Sequence, residues 1–393
     1  MTKRIISAIL ALCLIFGAVS VSAYAAKPSN LKFGDDGEFS ILHMCDFQDN
    51  YPAREEMMKY INRMLEVYTP DIVVLGGDNC VAPKENKDAA IKEIVAPFVD
   101  HGVYFTLVFG NHDDEQGVDK ETLLKMYQKH GGKYCLAYDA DPDISGTGAH
   151  NLPVYSSDGK NIKFNLWMLD TGTYVSDENG NRLGYDSVRP DQIEWYKSES
   201  KKLEEKAGGK VPSLAFQHMT VQEVYDVMFP KAYFEVPLFV ETYSGVKYSV
   251  FNPKTESFAG HLFEPPSPGY YNHGEVDAMV ERGDVLAILV GHDHINSYEV
   301  DVGGLEVINT PGASFNAYGE EFVRGSRLIT VKEDNPWEFA SKVITVTDLI
   351  MSDDQFAEDF GMSRIEAFAW ISFADFLLLC KMLSAPVSWL IYW

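Results

Sequence analysis

Five short apolar runs in this chain each stop at a polar motif of two to four residues, and this recurrence constrains the fold more than any single residue does. Residues 39–45 lead into Asp46-Phe47-Gln48, residues 72–75 into Gly76-Gly77-Asp78-Asn79, and residues 103–109 into Gly110-Asn111-His112-Asp113. Residues 214–216 lead into Gln217-His218, and residues 285–290 into Gly291-His292-Asp293-His294. Short runs rich in β-branched and aromatic residues, closed by turn residues, read as buried strands. Between them lie helical patterns. Residues 53–68 place Met57, Ile61, Met64, Leu65 and Tyr68 along one face, and residues 190–206 open on Pro190, a residue suited to a first helical turn. Strands alternating with helices from about Glu38 to Thr345 predict an α/β domain. Polar groups at the ends of such strands stand where α/β sheets gather ligand-binding side chains.

Asp158-Gly159 is a hairpin turn joining residues 154–156 to a strand over 162–169, and four more strands are expected over 297–302, 305–309, 327–332 and 342–346. No fixed-period repeat or low-complexity tract is present. The domain is bounded at 32–346. Inside it, residues 230–273 read as a long loop rich in Pro, Tyr and Phe, too long for a plain connector. Beyond it, residues 347–393 form a hydrophobic tail. Glu366, Asp375 and Lys381 interrupt its apolar stretch, leaving no charge-free run of the ~18 residues a membrane span requires.

The amino-terminal 25 residues read as an export signal: Lys3 and Arg4, then an apolar stretch, then Ala23-Tyr24-Ala25 as a small-x-small cleavage site. A secreted or cell-envelope location is therefore expected; an uncleaved signal, or the tail, would add membrane contact. The net charge of −25 becomes −27 without Lys3 and Arg4. Such a surface disfavours nucleic acid, whose binding rests on Lys and Arg neutralising phosphates. Small phosphate esters remain open as partners, because bound metal ions reverse the local field. The cysteines left after cleavage are Cys45, Cys80, Cys135 and Cys380, with no metal-binding spacing; buried free thiols are expected, with a Cys45–Cys80 bond as the other reading.

Taken singly, each strand-end motif has an ordinary explanation as a turn or a core histidine. Together they offer two carboxylates (Asp46, Asp78), two amide oxygens (Gln48, Asn111) and three imidazoles (His218, His292, His294). That set suffices for two metal ions with positions left open. Mixed oxygen and nitrogen donors suit Mn, Fe or Zn.

The ordered series resembles the calcineurin-like metallophosphoesterase superfamily, in which Asp-x-His, Gly-Asp, Gly-Asn-His-Asp/Glu, His and Gly-His-x-His follow one another. The stretch Leu214-Ala215-Phe216-Gln217-His218, with Glu223-Val224-Tyr225 after it, and Asn309-Thr310-Pro311-Gly312 resemble the branch related to purple acid phosphatases. The resemblance implies a β-sandwich of two mixed sheets flanked by helices, with two metals in its cleft. One metal would take Asp46, Gln48, Asp78 and His294; the other would take Asp78, Asn111, His218 and His292. His112 would donate a proton to the leaving group, with Asp113 or Asp114 orienting its ring.

Two departures stand out. Gln48 occupies a position where the superfamily usually has His, so a weaker hold on the first metal and a preference for Mn or Fe are expected; the other reading is a hydrogen bond to a metal-bound water. Val81 stands where purple acid phosphatases carry a Tyr ligand, so no purple charge-transfer band is expected. The activity expected is hydrolysis of phosphomonoesters. Phosphodiester hydrolysis on nucleotide or lipid head groups, and a non-catalytic metal-containing module, are the competing readings. Residues 230–273, with Phe234, Phe239, Tyr243, Tyr248, Phe251, Phe258, Phe263, Tyr270 and Tyr271, are the candidate substrate-side cap, a self-packed loop being the alternative.

Overall fold

A computed structural model of the chain describes residues 31–232, 240–250, 253–320 and 323–361. The export segment 1–25, residues 362–393, Cys380, Phe234, Phe239 and Phe251 lie outside the described residues. In chain order the strands are β1 (Glu38–Met44), β2 (Ile72–Gly76), β3 (Tyr104–Val108), β4 (His150–Tyr155), β5 (Ile162–Met168), β6 (Tyr174–Ser176), β7 (Arg182–Tyr185) and β8 (Ser213–Phe216). There follow β9 (Val240–Tyr243), β10 (Val246–Ser249), β11 (Val285–Val290), β12 (Glu299–Asp301), β13 (Glu306–Asn309), β14 (Gly325–Lys332) and β15 (Asn335–Thr345). The helices are α1 (Glu55–Tyr68), α2 (Lys87–Asp100), α3 (Lys120–Gly131), α4 (Pro190–Ala207), α5 (Val224–Met228), α6 (Glu275–Arg282), α7 (Val346–Ser352) and α8 (Asp354–Asp359).

Two mixed sheets stack face to face, as the fold class expected from the sequence requires. One runs β15-β14-β1-β2-β3 and the other β12-β13-β11-β8-β5-β4. Within them β1, β2 and β3 are parallel neighbours, as are β5, β8, β11 and β13, while β14, β15, β4 and β12 run antiparallel to theirs. The two-residue side-chain period of a strand explains the layering. Ile41, Ile72, Val74, Leu166, Leu214 and Leu289 point inward and fill the space between the sheets. Leu42, Met44, Val73 and Leu75 point the other way, onto the apolar faces of α1, α2 and α3. Trp167, Ala215, Ile288 and Val290 do the same beneath α4, α5 and α6. Strands covered on both sides read as near-continuous apolar runs, which is why they were visible in the sequence.

Two stretches differ from expectation. Residues 230–273 are not wholly loop: β9 and β10 form an antiparallel hairpin there, with Tyr243 and Tyr248 packed on the ring of Tyr225 at 4.4 and 5.5 Å. The domain core also runs past residue 346. Thr345 and Asp348 form a reciprocal capping box that starts α7. Leu349, Ile350 and Phe356 then add to the apolar layer outside the first sheet. Among the described residues no helix is long and apolar enough to cross a membrane.

Candidate metal centre

Because β1, β2, β3, β8 and β11 run parallel within their sheets, their carboxyl ends deliver the five motifs to one edge of the sandwich. The chain bends sharply as each strand stops. Six described non-glycine residues adopt left-handed backbone, and four of them are Asp46, Gln48, Asp78 and His292. Such strain persists only where the surrounding fold over-determines it, and it concentrates at functional sites. Gly110 is needed for a different reason: a Cβ there would lie 2.1 Å from Asp78 Oδ1, so the third strand's loop can approach the second only without a side chain.

Asp78, His218 and His292 each present a ligand-type atom, and the three atoms lie within 4.8 Å of one another. Around them, His218 Nε2 is 3.3 Å from Asp78 Oδ2 and 3.8 Å from Asp46 Oδ1, and His294 Nε2 is 3.5 Å from Asp46 Oδ1. His218 Nδ1 faces the Gly76 carbonyl at 2.8 Å and His294 Nδ1 the Tyr318 carbonyl at 2.8 Å. His294, which burial keeps neutral, thus donates at Nδ1 and leaves Nε2 as its acceptor, the tautomer a metal ligand needs, while His218 donates at Nδ1 and turns Nε2 to the two carboxylates. Asp46 Oδ1, Asn111 Oδ1 and His218 Nε2 are buried without a hydrogen-bond partner. An orphaned buried acceptor costs about 1–3 kcal/mol, and Asp46 Oδ1, 3.8 Å from His218 Nε2 and 3.5 Å from His294 Nε2, is one that a cation bound among them would satisfy. Carboxylate oxygen and imidazole nitrogen brought this close fit a metal ion as donors.

Burial and neighbouring charge set the titration of these groups. Burial lowers His294 to about 4 and His292 well below the usual imidazole range, keeping both neutral. Burial would also lower His218, but the Asp78 and Asp46 carboxylates outweigh it and hold that ring up at about 9. Burial opposes ionisation of Asp78, and His218 and His112 overcome it and hold the carboxyl well below its usual range. Burial pushes Asp46 up, with His218 opposing and Asp78 adding to it.

Gln48 donates from Nε2 to Asp78 Oδ2 at 2.9 Å, so its amide acts here as a donor to the central carboxylate rather than as an oxygen ligand. Serving as a ligand would require the amide to turn its oxygen inward. Asn111 does present its oxygen, because its Nδ2 is occupied by the Tyr174 hydroxyl at 2.9 Å.

His112 lies at the mouth, its side chain 38% exposed and Nε2 4.0 Å from Asp78 Oδ2. The expectation that Asp113 orients this ring is corrected. Asp113 is buried and turned away, its two oxygens accepting backbone N–H groups from Gly110, Asp78, Asn79 and Cys80 at 2.8–3.2 Å. Burial and the charge of Asp78 push its carboxyl up to about 6. It ties the second strand's loop to the third and never reaches the imidazole. The group on His112 Nδ1 is Glu115, at 2.5 Å.

Sequence reasoning also missed the rim. Strands β6 and β7 form a hairpin beside the cleft, its turn marked by Asn179-Gly180 with Gly180 at φ 82°. That dipeptide was the available signal. Tyr174 Oη accepts from Asn111 and donates to Glu115 Oε1 at 2.8 Å; Tyr185 stands edge-on to His292 at 4.3 Å. Opposite, Tyr318 stacks on His294 at 4.1 Å and its hydroxyl meets Glu264. Of the expected cap aromatics, Phe263 is buried in the domain and Tyr270 packs against Gly184 of the hairpin. Asp170 accepts from buried Lys120 and the Gly172 N–H, supporting its turn. Cys45, Cys80 and Cys135 are free buried thiols.

Comparison with known proteins agrees in kind. A family model described as "Calcineurin-like phosphoesterase" matches residues 39–296. Two Arabidopsis thaliana proteins, named "Probable inactive purple acid phosphatase 14" and "Probable inactive purple acid phosphatase 29", are each 26% identical to the chain. The first match covers 84% of this chain and 85% of the relative, and the second 81% and 82%. Among solved structures, a dimetal phosphatase from Danio rerio aligns over 78% of this chain and 98% of its own, with 15% identity and a TM-score of 0.45. The family is one of metal-dependent phosphoesterases, and two metal ions are what it implies. With 258 residues of continuous match spanning all five strand-end motifs, the chain belongs to the calcineurin-like phosphoesterase family.

Proposed function

We propose that this protein is an active phosphomonoesterase that works outside the cytosol with two metal ions of the Mn, Fe or Zn class. Asp46, Asp78 and His294 would hold one ion, with Gln48 beside it as donor or, once turned, as ligand. Asp78, Asn111, His218 and His292 would hold the other. When bound, such ions offset charge on the phosphoryl oxygens and acidify the attacking water. The chain's own contribution begins with a fixed bed: Asp113 and the left-handed bends hold the donors before substrate arrives, so little reorganisation accompanies the reaction. His112 then supplies a proton to the departing alkoxide. Its Nδ1 is anchored by Glu115, leaving Nε2 on the cleft side as the donor.

The observation carrying this reading is the His112–Glu115 pair at the mouth. No metal needs an anchored, half-exposed imidazole in order to bind; proton transfer to a leaving group does. The word "inactive" in the relatives' names belongs to those proteins. Export rests on Lys3, Arg4, the apolar stretch and Ala23-Tyr24-Ala25, and amino-terminal sequencing of the protein from its native cell fractions tests it.

The activity is tested with protein reloaded separately with Mn, Fe and Zn, assayed on a mono-ester and a bis-ester of one chromogenic alcohol. Faster mono-ester turnover, abolished by chelation and restored by metal, is the expected result. Dominant bis-ester turnover would move the protein to the phosphodiesterases. Stoichiometric metal with no turnover of either ester would make it a binding module.

A further inference from the structure

The hairpin of β6 and β7 presents an arginine in an unusual setting. The guanidinium carbon of Arg182 lies 3.4 Å from the centroid of the Tyr174 ring and 5.0 Å from that of Tyr185. Those two rings reach the metal centre directly, through Asn111 and His292. Arg63, Arg189, Arg282 and Arg327 are all paired with carboxylates. Arg182 has no carboxylate partner among the described residues, although the chain carries 58 acidic residues against 33 basic ones. Other cations near this side of the mouth are neutralised locally, Lys120 by Asp170 and Arg189 by Asp186.

We propose that Arg182 is the recognition group for a second anionic substituent on the substrate, carried by the leaving group. This rests on the phosphomonoesterase reading and narrows its substrate class to phosphomonoesters bearing another phosphate. A guanidinium stacked on aromatic rings has its orientation fixed, and Arg182, although it also hydrogen-bonds the Tyr185 side chain, has further N–H groups with which to bind a phosphate bidentately. Its position gives the polarity. Tyr174 shares Glu115 with His112, so the hairpin stands on the side where the proton is delivered and the alcohol departs. An anion on the alcohol therefore falls towards Arg182, whereas the reacting phosphoryl group is served by the metals. In so acidic a protein, one uncompensated cation at the rim also selects by sign.

The test compares propyl phosphate with 1,3-propanediol bisphosphate, in turnover and in calorimetric binding to metal-loaded protein, for the unaltered chain, Arg182→Gln and Arg182→Lys. The unaltered protein is expected to favour the bisphosphate. Arg182→Gln should cut that preference about 10- to 100-fold, the worth of a charge-assisted hydrogen bond. The loss should fall on KM and Kd rather than kcat. Arg182→Lys should recover part of it, and added salt should erode it. Equal affinity for the two compounds in the unaltered protein, or a preference that survives Arg182→Gln, would overturn the proposal. Absence of turnover with both compounds would count against the phosphomonoesterase reading alone, since Arg182-dependent binding of the bisphosphate would still be measured and would still decide this one.

Discussion

On the floor of the cleft Asp46, Asp78, Asn111 and His218 are buried at strand ends, and three of their polar atoms have no partner. On the rim Tyr174, Arg182 and Tyr185 are partly or fully exposed, and what holds them is ring stacking and a hydroxyl shared between Asn111 and Glu115. The floor is held by two packed sheets and the Asp113 hydrogen bonds, and its unpartnered atoms are those that the proposed ions would satisfy. The rim rests on a two-stranded hairpin, which is marginal without the packing beneath it, and holds Arg182 on aromatic rings with no carboxylate partner among the described residues. Under the proposed function the difference is a division of labour: the floor would set whether chemistry occurs, and the rim on what.

The most severe way to break that division is at Asp78, which sits between both halves of the floor. Asp78→Asn should lose at least one metal equivalent by elemental analysis and lower turnover on the order of 10³-fold or more, because one neutral amide cannot replace the carboxylate proposed to serve both ions. Full metal content with near-normal turnover would remove Asp78 from the centre. His112→Asn is the next step down. The variant should keep its metal and lose about 10²- to 10³-fold in kcat, the range of a positioned proton donor. Loss of metal along with activity would reassign His112 to the floor.

These two parts were unequally legible in the sequence. Each floor residue directly follows an apolar strand, so period and motif place it without knowledge of the third dimension. The rim could not be read this way, because Arg182 gains its meaning only when a hairpin folds back over ligands delivered by β3 and β11. The acids after His112 show the same limit within three residues. The resemblance offered Asp113 or Asp114 as the ring's partner and passed over Glu115, and backbone direction decides otherwise: Asp113 turns inward to four N–H groups while Glu115 reaches the ring. The domain's end was hidden for another reason. Leu349, Ile350 and Phe356 belong to short helices whose apolar faces merge, in sequence, with the apolar stretch after them.

Loss of activity in acid needs a control that belongs to neither floor nor rim, and His150 provides it. This ring joins the two sheets, accepting at Nε2 from the Thr106 hydroxyl and donating from Nδ1 to the Gly148 carbonyl, each at 2.7 Å. Burial lowers it from 6.5 to about 4, against a smaller opposing effect of the Gly148 carbonyl. Between those values the unfolded chain binds a proton that the folded chain refuses. Its contribution is therefore intact above pH 6.5, falls as pH drops towards 4, and is flat below that. The loss is on the order of 3 kcal/mol. Denaturant titrations across pH 4–7 should show this slope in the unaltered protein and less of it in His150→Gln. Parallel curves for the two would assign the acid sensitivity to other groups.

The smallest expected effect lies where floor and rim meet. Glu115 bonds the ring of His112 on one side and the hydroxyl of Tyr174 on the other. Glu115→Gln keeps the shape and removes the charge, so turnover should fall about tenfold, near the worth of one charge-assisted hydrogen bond, with metal content unchanged. A fall of that size could also come from a loosened hairpin, and a double-mutant cycle separates the two causes. If Glu115 acts through the imidazole, Glu115→Gln should cost nothing further in a His112→Asn background, because neighbours that act as a unit are not additive. If it acts by holding Tyr174, the same loss should persist there and vanish instead in a Tyr174→Phe background. Additivity in both cycles would detach Glu115 from the proton path and from the rim alike, leaving His112 without the anchor on which the catalytic reading depends.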